Sequence, residues 1–138
     1  QGLWKFGNDW VFDSRLSYTY QKAQDFTDKS DKDTYGGQIS YIPWHSGSAI
    51  LNAGYKSWEL NYSFIYTGER YDVSANTPEN YRLPWYTSDF SLAKKFSWRK
   101  YDFKLTLEVN NIFNQQYEVV RSYPMPGTNF KFILNLTI

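Results

Sequence analysis

Apolar and polar residues alternate with period two along much of this chain. From Trp58 to Thr67 the even positions are Trp58, Leu60, Tyr62, Phe64 and Tyr66, and the odd ones are Glu59, Asn61, Ser63, Ile65 and Thr67. From Tyr101 to Asn110, Tyr101, Phe103, Leu105, Leu107 and Val109 oppose Asp102, Lys104, Thr106, Glu108 and Asn110. The final segment sets Phe130, Phe132, Leu134, Leu136 and Ile138 against Lys131, Ile133, Asn135 and Thr137. Successive side chains of a strand point to opposite faces, so each segment is read as a strand with one apolar face. Weaker alternation runs from Trp10 to about Asp25, with Phe12, Leu16, Tyr18 and Tyr20 in phase, and from Tyr86 to Phe96, with Phe90 and Leu92. Small residues alternate over His45 to Gly54, and Gly2 to Phe6 is a short further strand. No segment carries a helical period, so the chain is predicted to be all-β, an antiparallel sheet of about seven strands.

The connections alternate in length. Short ones are Gly7-Asn8-Asp9, Tyr55-Lys56-Ser57 and Ser97-Trp98-Arg99-Lys100, and long ones lie at about 26 to 44, 72 to 85 and 114 to 128. Tight turns therefore gather at one end of the sheet and long loops at the other, the organisation of outer-membrane barrels with periplasmic turns and extracellular loops. On this reading Ile138 ends on the periplasmic side.

Aromatic residues are placed at both strand ends. Trp10, Phe12, Trp58, Phe96, Trp98, Tyr101 and Phe103 lie towards the short turns. Tyr18, Tyr20, Tyr66, Trp85, Tyr86, Phe113 and Phe130 lie towards the loops. Between the two sets come Leu16, Leu60, Leu92, Leu105, Leu107, Leu134 and Leu136. Two aromatic girdles around an aliphatic band are what a lipid-facing barrel surface requires, because indole and phenol rings favour the headgroup level. Trp10, Tyr18, Tyr20, Trp58, Tyr66, Tyr86, Phe96, Tyr101 and Phe113 are the expected girdle.

Composition narrows the alternatives. The 138 residues suffice for one domain, and 13 Tyr, 10 Phe and 6 Trp supply the girdles. No apolar run approaches the ~18 residues of a membrane helix. A formal charge of +1 removes the electrostatic case for nucleic acid, and the lack of Cys excludes thiolate metal sites and disulfides. Gln1-Gly2-Leu3-Trp4-Lys5-Phe6 carries no initiating Met, basic region or apolar leader, so the chain is expected to be part of something longer.

Three stretches carry a family resemblance: Ser40-Tyr41-Ile42-Pro43-Trp44-His45; Thr67-Gly68-Glu69-Arg70-Tyr71 with Leu83-Pro84-Trp85-Tyr86; and Val109-Asn110-Asn111-Ile112-Phe113-Asn114-Gln115-Gln116-Tyr117. The third, the most specific, continues into Arg121-Ser122-Tyr123-Pro124-Met125-Pro126-Gly127-Thr128-Asn129-Phe130. Over nearly its whole length the chain resembles the C-terminal part of TonB-dependent outer-membrane receptors, barrels that import scarce nutrients such as iron-siderophores, haem and cobalamin. The resemblance implies that residues 1–138 are a C-terminal barrel fragment without the plug. It implies outer-membrane lipid, the rest of the barrel and plug, and TonB acting through that absent plug as partners. It implies the bacterial outer membrane as location, no catalysis and no cofactor. Phe130, Phe132, Leu134, Leu136 and Ile138 would form the C-terminal assembly strand, although family members usually finish on an aromatic residue rather than on Ile138.

The candidate chemistry is sparse. Asn110, Asn111 and Asn114 suit strand termination better than ligand binding, since Asn side chains bond nearby backbone in turns. Tyr123-Pro124-Met125-Pro126-Gly127 reads as a stiff loop with an unusual backbone at Gly127. Asp25, Asp28, Asp31 and Asp33 lack the Gly and distal Glu of a calcium loop and alternate with lysines. His45 and Ser46 are strand neighbours that face apart, which argues against a catalytic pair. Asp13, Arg15, Glu59, Lys104, Glu108 and Lys131 would face the plug or water. Tyr71, Asp72, Asn76, Glu79, Asn80, Tyr81 and Arg82 form the candidate ligand loop, on position alone. The alternative is a soluble secreted β-barrel or sandwich binding a small apolar or sugar ligand through Trp and Tyr. An outer-membrane lipid hydrolase is a third reading, for which His45 is the only histidine.

Overall fold

The structure is a computed structural model that describes residues 1–7 and 9–137. Seven long strands form one antiparallel meander: β1 (Gly2–Phe6), β2 (Trp10–Tyr20), β3 (His45–Tyr55), β4 (Trp58–Thr67), β7 (Trp85–Trp98), β8 (Tyr101–Asn110) and β11 (Asn129–Thr137). The numbers between belong to two small hairpins in the loops, β5 (Arg70–Tyr71) with β6 (Tyr81–Arg82), and β9 (Glu118–Val120) with β10 (Tyr123–Pro124). Each long strand pairs with its neighbour in sequence order, leaving β1 and β11 as edges. Asn8 and Ile138, expected in the first turn and on the assembly strand, lie outside the described residues.

The strand phases are those the alternation predicts, and the register joins them across the sheet. Phe12, Ala53, Leu60, Leu92, Leu107 and Phe132 form one continuous cross-strand row on the apolar face. Asp13, Asn52, Asn61, Ser91, Glu108 and Lys131 form the adjacent row on the other face. That polar face is stitched by side chains: Asn52 donates to Asp13 at 3.1 Å, Asn61 donates to Asn52, and Glu59 receives Lys95 at 2.5 Å and Lys104 at 2.6 Å. Such cross-strand pairs are the local unit of sheet stabilisation.

The strand limits differ from the sequence reading in instructive places. β2 stops at Tyr20 rather than near Asp25. Its partner supplies the reason: Gln21 still donates to the Trp44 carbonyl at 2.9 Å, but the next partner is Pro43, which has no N–H to extend a ladder. β7 is longer than expected at both ends, so Trp85 and Trp98 belong to the strand and only Arg99 and Lys100 turn. The long loops accordingly cover 21–44, 68–84 and 111–128.

Among the described residues the only buried apolar side chain is Ala93. The buried polar residues are Gln38, Arg70, Asp72, Thr87, Ser88 and Asn111. A soluble domain of this length closes over large apolar groups, whereas here Leu16, Leu107, Phe130, Phe132, Leu134 and Leu136 stand more than half exposed. Leu60 is exposed as well, and Phe64 and Leu105 are half-buried by their neighbours.

The curvature separates the faces. A hollow of about 480 Å³ has Asn52, Glu59, Asn61, Ser91, Lys104 and Glu108 in its lining. A smaller one of about 150 Å³ is bounded by Asn61, Ser63, Asp89, Glu108 and Asn110. Both lie against the polar face, so the sheet curls towards its polar side and bulges on its apolar side, the curvature of a barrel with a wet interior and a lipid-facing exterior.

Candidate functional site

Three long loops meet at one end of the sheet and are braced to one another. The first is tied to the second by Asn76, whose amide donates to the Gln38 carbonyl at 3.1 Å while its oxygen accepts the Gln38 backbone N–H. Tyr41 adds a backbone donation to the Tyr71 carbonyl at 2.7 Å. The second is tied to the third by Arg70, only 3% exposed, whose Nη2 donates to the carbonyls of Glu118 at 2.8 Å and Val119 at 3.2 Å. Burial pulls the Arg70 guanidinium below its ordinary range, with neighbouring Arg82 adding to the effect.

Beside Arg70 sits a charge cluster. The buried Asp72 carboxylate takes Arg82 through Nε at 2.7 Å and Nη2 at 2.5 Å, and Arg121 of the third loop approaches the same oxygen at 3.6 Å. The second carboxylate oxygen of Asp72 and Nη1 of Arg70 are buried without a protein partner. Arg121 also donates its backbone N–H to the Tyr41 hydroxyl at 3.4 Å, which closes the circuit through all three loops.

Most of the candidate ligand loop is engaged in this bracing. Asp72, Asn76 and Arg82 are held as described, and Asn80 donates to the Ala75 carbonyl and Thr77 hydroxyl, both at 3.0 Å. Glu79 is exposed, Tyr81 reaches Glu69 at 3.4 Å, and Tyr71 packs edge-on against Tyr81. Glu79, Tyr81 and the partly exposed Tyr71 are therefore the members that present surface outward.

The concave surface at the loop end joins Arg82 of the candidate ligand loop to Trp85, and Trp85, expected among the loop-end girdle aromatics, is corrected to the polar face. Trp85 and Tyr117 stack at 4.5 Å, and a hollow of about 450 Å³ opens over them with Arg82, Gln115, Gln116 and Glu118 on its walls. Tyr117 also borders a second hollow of about 530 Å³, with Thr87, Asp89, Asn110, Asn129 and Lys131 of the polar face. Burial raises the Tyr117 phenol above its ordinary range, and the Asp89 carboxylate adds to this. The phase of Trp85 was the available signal: it shares a strand face with Thr87, Asp89 and Ser91, an aromatic ring among polar groups.

The asparagine segment is structural, as expected. Asn111 takes the left-handed backbone (φ 51°) and is buried. Its N–H donates to Asp89 at 2.7 Å, its amide donates to the carbonyls of Gln115 and Pro126, and its oxygen accepts the Gln115 N–H at 2.9 Å. Gly127 is not in the left-handed region, so the expected unusual backbone there is corrected: what requires glycine is the close approach of Asn114. The acidic run also closes on itself, with Asp25, Asp28 and Asp31 accepting from backbone N–H groups two or three residues on. No group of metal-holding side chains occurs among the described residues. His45 Nδ1 meets the Tyr18 hydroxyl at 2.7 Å on the apolar face.

Eight of the nine expected girdle residues, Trp10, Tyr18, Tyr20, Trp58, Tyr66, Tyr86, Phe96 and Tyr101, stand in the outward phase of their strands. Phe113 lies past the end of β8, 63% exposed and edge-on to Tyr86. Phe130, Phe132, Leu134 and Leu136 share the outward face of edge strand β11.

A meander with an apolar convex face, a polar concave face, tight turns at one end and braced loops at the other is the wall of an outer-membrane-type β-barrel. The chain belongs to the TonB-dependent receptor-like β-barrel family, whose model matches residues 2–112, from β1 to just past β8. Comparison with curated proteins returned no match. Barrels of this family are outer-membrane receptors and transporters, not enzymes.

Proposed function

We propose that this chain forms the closing part of the barrel in a TonB-dependent importer of a scarce nutrient, the class that includes iron-siderophores, haem and cobalamin. The observation that carries the reading is the concave polar face, which continues at the loop end into the aromatic hollow over Trp85 and Tyr117. A nutrient arriving from outside meets Glu79, Tyr81 and the stacked pair, then the polar lumen wall of Asp13, Arg15, Glu59, Lys104, Glu108 and Lys131. The plug within the complete barrel and periplasmic TonB acting on it supply the energised step. The wall itself needs no cofactor or catalytic group.

The test is nutrient uptake by cells carrying or lacking the full-length receptor, each with and without TonB. Labelled ferric siderophore, haem and cobalamin are supplied separately. Uptake of one of them should require both receptor and TonB, and should fall when Trp85 and Tyr117 are both changed to Ala. Receptor-dependent uptake that persists without TonB would remove the energised-import reading.

A further inference from the structure

Each of the three tight hairpins closes on an aromatic pair facing the apolar side: Phe6 with Trp10, Tyr55 with Trp58, and Trp98 with Tyr101. Cations lie over the rings of the second and third pairs. Lys56 is 5.2 Å from the Tyr55 centroid, Lys94 is 4.5 Å from Trp58, Arg99 is 5.2 Å from Trp98 and Lys100 is 5.3 Å from Tyr101. These are four of the five cation–π contacts among the described residues, and the fifth, Lys22 over Trp44, is at the loop end. One end of the apolar face is thus both aromatic and basic.

The acids nearby do not neutralise this belt. Asp102 sits on the polar face, bonded by the Ser97 hydroxyl at 2.6 Å, and Glu59 is held there by Lys95 and Lys104. Asp9 reaches only Lys56, at 3.9 Å with both groups exposed. Lys94, Arg99 and Lys100 have no carboxylate partner among the described residues. Lys94 projects from the lipid-facing phase of β7, where a charge is tolerated only if its amine reaches the headgroup level; contact with the Trp58 ring holds it there. Lys56 and Arg99 also occupy left-handed turn positions (φ 53° and 57°) that Gly or Asn fills at less cost.

We propose that this belt binds the anionic phosphate headgroups of glycerophospholipids in the leaflet around the short turns. Lys94, Arg99 and Lys100 supply the charge, and Trp58, Phe96, Trp98 and Tyr101 seat the adjoining glycerol and upper acyl chain. Phe96 stacks on Phe103 at 5.1 Å, extending the apolar seat towards the leucine band. The inference rests on the membrane-barrel reading, since only a barrel wall brings this belt to a leaflet.

The test uses the full-length receptor in vesicles of phosphatidylethanolamine alone, with phosphatidylglycerol, or with phosphatidylglycerol and lipid A together. Lipid retained through detergent extraction is weighed on the intact protein by native mass spectrometry. Wild type should retain phosphatidylglycerol in preference to phosphatidylethanolamine. The Lys94→Gln, Arg99→Gln, Lys100→Gln triple variant should lose about fivefold in that preference per cation removed, while Lys22→Gln at the loop end should keep it. No preference in wild type, or a preference that survives the triple change, overturns the proposal, as does retention of lipid A over phosphatidylglycerol. If the triple variant does not insert, single Lys100→Gln is compared in its place. Loss of the heat-modifiable barrel in wild type would instead overturn the barrel reading itself.

Discussion

The side-chain oxygen of Asn114 occupies the space that a Cβ on Gly127 would need, and it accepts the Thr128 N–H at 3.1 Å. The last loop thus enters β11 through a contact that a side chain at position 127 could make room for only by moving Asn114 off the Thr128 N–H. Gly127→Ala should displace Asn114 at a cost of about 1–3 kcal/mol, the usual range for overpacking. Protease cleavage within 111–128 of the folded receptor should rise, and the added change Asn114→Gly should reverse part of the effect.

Arg70 gives a second prediction. Arg70→Ala leaves the Glu118 and Val119 carbonyls without their buried donor, at about 1–3 kcal/mol for the unmet groups. The third loop should exchange its backbone hydrogens faster. Arg70→Lys should recover only part of the protection, because a single amine cannot reproduce the guanidinium fork.

The facing of β11 can be tested by insertion. Phe132→Asp puts a charge in the outward row with Leu107 and should abolish the heat-modifiable barrel in isolated outer membranes. Asn135→Asp, which pairs with Lys104 on the concave face, should insert normally. Equal insertion of the two variants would reverse the assigned faces.

A pH effect follows from Tyr117. Its phenol is raised by burial and by Asp89, so the folded loop holds the proton more tightly than the unfolded chain does. Folded-state stability from this group is complete below the unfolded value of about 10 and is lost as pH rises through the higher folded value. Loop protection should therefore fall in strong base, and Tyr117→Phe should flatten that fall.

What the sequence disclosed and what it withheld divide along physical lines. Strand phase was legible because alternation is a local property, visible at Trp58–Thr67 without knowing any partner. The end of β2 was not, because it is decided by Pro43, which precedes the opposite strand and lies more than twenty positions away. The candidate loop was found by position, but the consumption of Asp72, Asn76 and Arg82 in bracing was invisible: Arg82 meets Asp72 within the loop, whereas Arg121 and Gln38 come from the other two. Trp85 was read with the loop-end girdle, although its phase, shared with Thr87 and Asp89, sets it on the polar face. Tyr117, positioned by a loop held through backbone carbonyls, had no comparable signal.

The grip of Arg70 on the third loop uses the carbonyls of positions 118 and 119 and no side chain from them. Every amino acid offers the same carbonyl, so mutations at those positions leave the grip intact. The outer rim can then drift in sequence while its architecture stays in place, and the structural constraint falls on Arg70 instead.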